Sequence, residues 1–373
     1  GVNTSPFDYK PGMMRCFSFN APMEKLTEGE YAGWWYYELP LAAGANQYWF
    51  TIDGSSRMQP DPNNMPAWSP RSNKDTKDAY NIVYVPYDEK QDFEPMKART
   101  AELPRTDGKT GTWSYVEYKE GEYIGVYLPY GYDPDRAEPY KTIYMQHGGG
   151  QDESDWMGIG SVQKIMDNLA AEGRTEPAII ITPDSNDLGW SMWGSGSSFA
   201  GLYNEIIPFV EENYNVSTEK MDRAFAGLSM GSMVAQSLIN YDASQFGYFG
   251  PWSGGASVTA SAPNLQHTHI LFAGGRYDFG NPGSRTADSL AAQGFFTKYV
   301  EVAGAHDFNT WCQLFRIWCE DYLWNPAAFG DADEEVDETG DVRIEMKCFA
   351  LLKKGEHHLL GDILRFLVRE PLV

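Results

Sequence analysis

The chain has 373 residues, 42% of them apolar and 14% aromatic, with 12 Trp and 23 Tyr. That length gives room for one to three domains and a sizeable core, yet its longest uncharged apolar runs, such as Ala178 to Ile181, are far too short to span a bilayer. The 29 basic and 52 acidic side chains leave a net charge of −23, which repels phosphate backbones and anionic membranes and argues against both as partners.

The first 90 residues read as all-β. Tyr36 to Leu39 and Gln47 to Ile52 are short aromatic, β-favouring runs separated by Pro40 and Gly44, with Asp53-Gly54 as a turn, and Ile82 to Val85 gives a further strand. Short strands at this spacing predict a small sandwich over 1–90. The charged, aperiodic stretch that follows places a linker at 91–110.

From 111 to 330 the pattern changes. Trp113 to Tyr118 and Tyr123 to Leu128 predict a hairpin, after which short apolar strands (142–145, 178–182, 224–226, 269–272, 298–302) alternate with helical stretches near 160–172, 200–214, 230–240, 284–293 and 308–323. Buried strands alternating with helices imply a mostly parallel sheet covered on both faces, an α/β fold. Residues 331–373 form an acidic and then amphipathic tail: Asp331 to Asp341 holds seven acidic side chains, and His357 to Leu367 is amphipathic. No role attaches to it. The start at Gly1, with no basic-then-apolar leader, fits a processed chain. Cys16, Cys312, Cys319 and Cys348 make no C-x-x-C pair, so no metal site is expected, and Cys312 and Cys319 stand two helical turns apart, too far to bridge.

The strongest local signal is Gly227-Leu228-Ser229-Met230-Gly231, between a predicted strand and a predicted helix. Such a turn needs glycines because side chains flanking it would strike backbone. It raises the Ser229 hydroxyl above the sheet and aims the Met230 amide at an oxyanion formed there. A serine nucleophile needs a base. The chain order expected of this motif discards His147, while His267 and His269 read as edge or core packing and His357 and His358 lie in the tail. His306, in a loop just after the last predicted strand, remains. Asp278, at the C-terminal end of the 269–272 strand, is the expected acid that orients the imidazole. Asp307 is the rival, but a carboxylate in that position is better placed to cap the next helix. His147-Gly148-Gly149-Gly150 after the 142–145 strand supplies a second oxyanion donor.

These motifs, with Asp152-Glu153, Trp156, Ile206 to Glu211, Asn213-Tyr214 and Trp311, resemble the esterase D-like branch of the α/β-hydrolases, most closely the feruloyl and acetyl xylan esterases of carbohydrate esterase family 1. Residues 20–66, with Trp49 to Gly54 and Pro60-Asp61-Pro62, resemble the glycogen-binding-module-like β-sandwich that precedes some members. The resemblance implies a secreted or periplasmic serine esterase that removes feruloyl or acetyl groups from feruloylated or acetylated xylan. Ser229, His306 and Asp278 would act through an acyl-enzyme, with Met230 and Gly149 as oxyanion donors and no metal or organic cofactor. Trp156, Trp193 and Trp311 are candidate walls of the acyl pocket. Glycan contact through the N-terminal module would involve Trp34, Trp35 or Trp49, although the adjacent Trp34 and Trp35 face opposite sides of a strand, so at most one joins a stacking platform. The alternatives are an esterase of siderophore trilactones and a glycan-binding protein with a degenerate hydrolase domain.

Overall fold

Among the described residues the N-terminal part forms six short strands, the aromatic and β-branched runs giving the two longest: β1 (Val2–Thr4), β2 (Asn20–Ala21), β3 (Glu24–Lys25), β4 (Trp35–Tyr36), β5 (Gly44–Phe50) and β6 (Asn81–Val85). In the computed structural model, residues 2–4, 20–37, 44–53, 61, 64, 68–72, 81–85, 101–188, 196–279 and 282–330 are described. β2, β1, β5 and β6 pair in that order as an antiparallel sheet, and β3 and β4 form a separate hairpin. The strand expected at 36–39 keeps only Tyr36 among the described residues, as the last residue of β4. The chain divides into two compact units, Gly1–Ala332 and Asp333–Val373. The second unit, including His357 and His358, lies outside the described residues, as do Cys16, Cys348 and Trp193.

The larger sheet consists of β7 (Thr112–Lys119), β8 (Glu122–Leu128), β9 (Lys141–Gln146), β10 (Ala178–Thr182), β11 (Arg223–Leu228), β12 (Tyr248–Trp252), β13 (His269–Gly275) and β14 (Thr297–Val302), in the order β14-β13-β12-β11-β9-β10-β8-β7. β9 to β14 are parallel, and β8 and β7 continue the sheet as an antiparallel hairpin. The helices are α1 (Asp155–Gly158), α2 (Val162–Ala171), α3 (Gly196–Asn213), α4 (Met230–Asp242), α5 (Pro282–Ala291) and α6 (Phe308–Ile317).

Every strand expected after residue 111 is present, but β12 is one that the sequence pattern did not suggest. Its run Tyr-Phe-Gly-Pro-Trp holds a glycine and a proline, which argue against a central strand. It is tolerated because pairing with β11 is continuous while the ladder to β13 lapses at Gly250 and Pro251. The parallel strands alternate between two buried faces. Ile143, Met145, Ala224 and Leu228 pack with α2 and α6, whereas Tyr144, Phe225 and Phe272 pack with α3, α4 and α5. Each large side chain so buried contributes about 1.5–3 kcal/mol. His269 packs in this core, stacked between Tyr248 and Phe296 at 5.0 and 5.2 Å. Cys312 and Cys319 are buried thiols, and Cys312 Sγ donates to Gly160 O at 3.1 Å.

The N-terminal strands are not an isolated module. Trp49, only 5% exposed, packs with Trp68 and Ile82 into the same cluster as α2 and α6, so it cannot serve a glycan platform. The described part of the expected linker, 101–110, is also not free chain: Ala101 and Glu102 are buried, and Asn168 Nδ2 donates to the carbonyls of Ala101 and Leu103 at 2.7 and 2.8 Å. Charge and aperiodicity suggested solvation there, but two carbonyls anchored on α2 fix it. Polar contacts add a second junction. Ser69 Oγ donates to Glu153, the Ser69 amide donates to Ser154 Oγ at 2.8 Å, and Ser72 Oγ donates to Asp152 at 2.8 Å.

Glu153 is 1% exposed, and its second carboxylate oxygen has no hydrogen-bond partner among the described residues. Burial pushes its carboxyl up to about 7, with Asp152 and Asp184 adding to the rise and the Ser69 hydroxyl opposing it. The folded value lies above the unfolded one, about 4.3, so the native state holds this proton longer and stability falls as pH rises from about 4 to about 7. Glu153→Gln keeps a hydrogen-bonding side chain without the charge. It is expected to stabilise the protein at pH 8 by up to about 3 kcal/mol relative to its effect at pH 4, read from urea unfolding of both proteins at the two pH values. An equal effect at both would show that Glu153 does not titrate in this window.

Candidate active site

The C-terminal ends of β9, β11, β13 and β14 lie along one edge of the sheet, where open α/β sheets place their sites. Between β11 and α4 the chain turns so tightly that a Cβ on Gly227 would run into the backbone of Gly231, and one on Gly231 would sit 2.6 Å from the carbonyl oxygens of Gln146 and His147. Ser229, at the apex, adopts φ 52° and ψ −112°, a left-handed conformation that costs a non-glycine residue about 1–3 kcal/mol. The turn is clamped by the Ser229 amide donating to Trp252 O at 3.0 Å and by Ser232 Oγ donating to Ser229 O at 2.6 Å. Met230 opens α4, so its amide is among the first-turn donors that have no partner within the helix.

Two further loops converge on Ser229. After β13 the chain turns through Arg276 to Asp278, and after β14 it passes through Ala303 to Asp307. The turns are bonded to each other, Arg276 N donating to Val302 O at 2.8 Å and Tyr277 N to Gly304 O at 2.9 Å. This brings His306 Nε2 to 2.9 Å from Ser229 Oγ and His306 Nδ1 to 2.9 Å from Asp278 Oδ1. Nδ1 facing a carboxylate is the protonated nitrogen, which leaves Nε2 to accept from the serine hydroxyl. The His306 and Asp278 side chains are 8% and 2% exposed, and burial strengthens such a network. Asp278 Oδ1 also accepts the Phe279 amide at 2.7 Å, while its Oδ2 is buried with no partner among the described residues. Asp307, the sequence rival, caps α6, accepting from Thr310 N at 3.0 Å.

The glycine loop closes the site from β9. A Cβ on Gly148 would come 3.3 Å from Ser229 Cβ, so the backbone itself passes close to the serine. The Gly148 amide already donates to Gln151 Oε1 at 2.7 Å, which makes Gly149 the next amide along the loop. Gln146 below is fixed on both ends of its side chain: Oε1 accepts Tyr203 OH at 2.7 Å and Nε2 donates to Ser185 Oγ at 3.0 Å. His147 is fully buried, with Nε2 2.8 Å from Asp184 Oδ1 and Nδ1 2.8 Å from Gly148 O. Burial opposes its charge, but the Asp184 carboxylate outweighs this and holds the imidazole above its ordinary range. Asp184, whose burial acts in the opposite sense, is held below its own by the bond to His147.

Two of the three tryptophans expected at the mouth, Trp156 and Trp311, need correction. Trp156 is 1% exposed, donates Nε1 to Gln146 O at 3.0 Å and packs edge-on against Trp252 and Phe308, so it is core. Trp311 is 4% exposed and its ring stands edge-on to His306 at 5.1 Å, with Nε1 donating to Ser253 Oγ at 2.9 Å. It supports the imidazole from within. Among the described residues, Phe279 is an exposed ring at the site, 61% exposed and 5.1 Å from the His306 ring. The signal that could have found it is its place directly after Asp278, which carries its ring to the site with the acid. Trp34 and Trp35 are both well exposed.

Residues 119–263 match the family model Esterase, described as "putative esterase", a span that holds the glycine loop and the Ser229 turn and stops before Asp278 and His306. The chain is 34% identical over 200 residues to an endo-1,4-beta-xylanase/feruloyl esterase of Xylanibacter ruminicola, covering 50% of this chain and 27% of that protein. It is 32% identical over 156 residues to endo-1,4-beta-xylanase Y of Acetivibrio thermocellus, covering 38% of this chain and 14% of that protein. It thus spans about a quarter or less of these relatives' lengths. A solved structure of a CE1 ferulic acid esterase from Anaeromyces mucronatus has the same fold, with a TM-score of 0.52 at 21% identity, covering 61% of this chain and 96% of that one. No helix among the described residues is long and apolar enough to cross a membrane. Residues 119–263 match the esterase family model, and the eight-stranded sheet has an α/β-hydrolase fold similar to that of the CE1 ferulic acid esterase of Anaeromyces mucronatus.

Proposed function

We propose that the chain is a serine carboxylic-ester hydrolase that removes feruloyl or acetyl groups from a plant cell-wall polysaccharide such as arabinoxylan. The hydrogen-bonded chain from Ser229 through His306 to Asp278 carries this reading. Ser229 Oγ attacks the ester carbonyl carbon and its proton passes to His306 Nε2, while the Asp278 carboxylate stabilises the imidazolium. The amides of Met230 and Gly149 hold the oxyanion. As the tetrahedral intermediate collapses, the ester C–O bond breaks and His306 gives its proton to the leaving sugar oxygen, leaving the acyl group on Ser229. Water, deprotonated by the same imidazole, then releases the acid.

The acyl and sugar assignments draw on the printed names of the relatives and on Phe279, whose exposed ring beside His306 offers an apolar surface. His306 protonates the leaving group, so a ring against it borders the sugar side. In the same reading, residues 1–90 are a β module docked on the hydrolase domain of 111–330, and 331–373 is a tail. Exposed Tyr31, Trp34 and Trp35 support glycan contact by that module. A polymeric substrate places the enzyme outside the cytoplasm, secreted or periplasmic.

Ser229→Ala is expected to lower hydrolysis of an aryl acetate by about 10⁴-fold or more while leaving the melting temperature unchanged, and full activity in that variant would refute the assignment. Asp278→Asn should cost about 10⁴-fold in kcat because the imidazole loses its tautomer. Asp307→Ala should instead keep turnover and lose about 1 kcal/mol with its helix cap. Steady-state kinetics and thermal melts of the pair separate the two carboxylates. Comparing methyl ferulate, a feruloylated arabinose oligomer and acetylated xylan by kcat/KM ranks the substrates. Phe279→Ala is expected to depress kcat/KM for the sugar ester more than for the methyl ester, and an equal loss on both would place the ring elsewhere.

A further inference from the structure

Arg71 lies far from the glycine loop in sequence, yet its guanidinium pairs with Glu122, Asp187 and, at 3.3 Å, Asp184 Oδ2. The other oxygen of Asp184 faces His147 Nε2 at 2.8 Å and accepts the Asn186 amide at 2.9 Å. His147 Nδ1 in turn donates to Gly148 O at 2.8 Å. That carbonyl belongs to the same planar peptide unit as the Gly149 amide, and in a trans peptide the C=O and N–H point in opposite directions. Anchoring the Gly148 oxygen on His147 therefore sets where the Gly149 N–H points. Ser69 and Ser72, on either side of Arg71, are bonded to Asp152, Glu153 and Ser154, just beyond the loop.

We propose that Arg71 is a positioning residue for the oxyanion loop: through Asp184 and His147 it aims the Gly149 amide, which makes segment 68–72 a working part of the hydrolase site. This rests on the esterase reading above. A buried carboxylate shared between an imidazole and a guanidinium has each oxygen assigned. Without Arg71, Asp184 is left beside Glu122 and Asp187 with no cation on its outer oxygen, and repulsion favours its displacement from His147.

The test is Arg71→Ala in the full chain, with aryl acetate as substrate. Misdirecting one oxyanion donor is expected to lower kcat on the order of 10- to 100-fold with KM nearly unchanged. Guanidinium chloride at low millimolar concentration should restore part of kcat, and equal sodium chloride should not, since the Arg71 side chain is 26% exposed and its site can be reached. Asp184→Asn should cost a similar factor, and the double variant no more than the single ones, because both act through the same contact. Wild-type kcat in Arg71→Ala, or multiplicative losses in the double variant, would overturn the proposal. If Ser229→Ala were as active as wild type, the esterase reading would fail instead. In protein carrying ¹⁵N-histidine, the His147 ring resonances should move in Arg71→Ala and return with guanidinium, whatever the turnover. Unmoved resonances would also overturn it.

Discussion

The tight turn at Ser229 sets the conditions for the rest of the site. With no room for a Cβ at Gly227 or Gly231, β11 passes into α4 within two residues, and the serine between them is held at positive φ. A strained backbone persists only where its surroundings over-determine it. Here the restraint comes from the Trp252 carbonyl at the end of β12 and from Ser232 within α4. β12 is thus more than a filler between β11 and β13, because the carbonyl of its last residue receives the Ser229 amide. The steric limit at Gly231 is imposed by the carbonyls of Gln146 and His147, so the elbow and the start of the glycine loop are fitted to each other.

The Asp278 and His306 side chains depend on a second fitted pair of turns. Hydrogen bonds from Arg276 and Tyr277 to Val302 and Gly304 bring the segments after β13 and β14 together before any side chain reaches the serine. His306 is then confined by Trp311 edge-on and Phe279 at its exposed side, with Asp278 almost wholly buried behind it. Ring packing fixes the plane of the imidazole and the carboxylate fixes its tautomer.

The N-terminal strands join this assembly by two different physical means. Trp49, Trp68 and Ile82 add apolar surface to the cluster that holds α2 and α6, a non-directional contribution to stability. The contacts of Ser69, Arg71 and Ser72 are directional and fall on the acidic stretch next to the glycine loop. A chain of net charge −23 carries much like-charge repulsion. One arginine among Glu122, Asp184 and Asp187 relieves it locally.

Much of the fold was legible because its signals are local. Alternation of apolar strands with amphipathic helices marked the parallel sheet, and the glycines around Ser229 marked the elbow, since steric exclusion of Cβ leaves a direct imprint on residue type. Chain order singled out His306 and Asp278, which the structure brings to 2.9 Å of one another. Burial and long-range pairing leave no such imprint. Tyr248 to Trp252 is a strand only because β11 and β13 flank it, Trp156 is core only because α1 brings its ring against Trp252 and Phe308, and Phe279 stands beside His306 only because two distant turns bond to each other. Residue chemistry and spacing by themselves determined the fold class and the order of the chemical groups. Tertiary structure alone decided which rings face solvent, which loop Arg71 braces and where the N-terminal strands rest, because those depend on what each surface meets after the chain has folded.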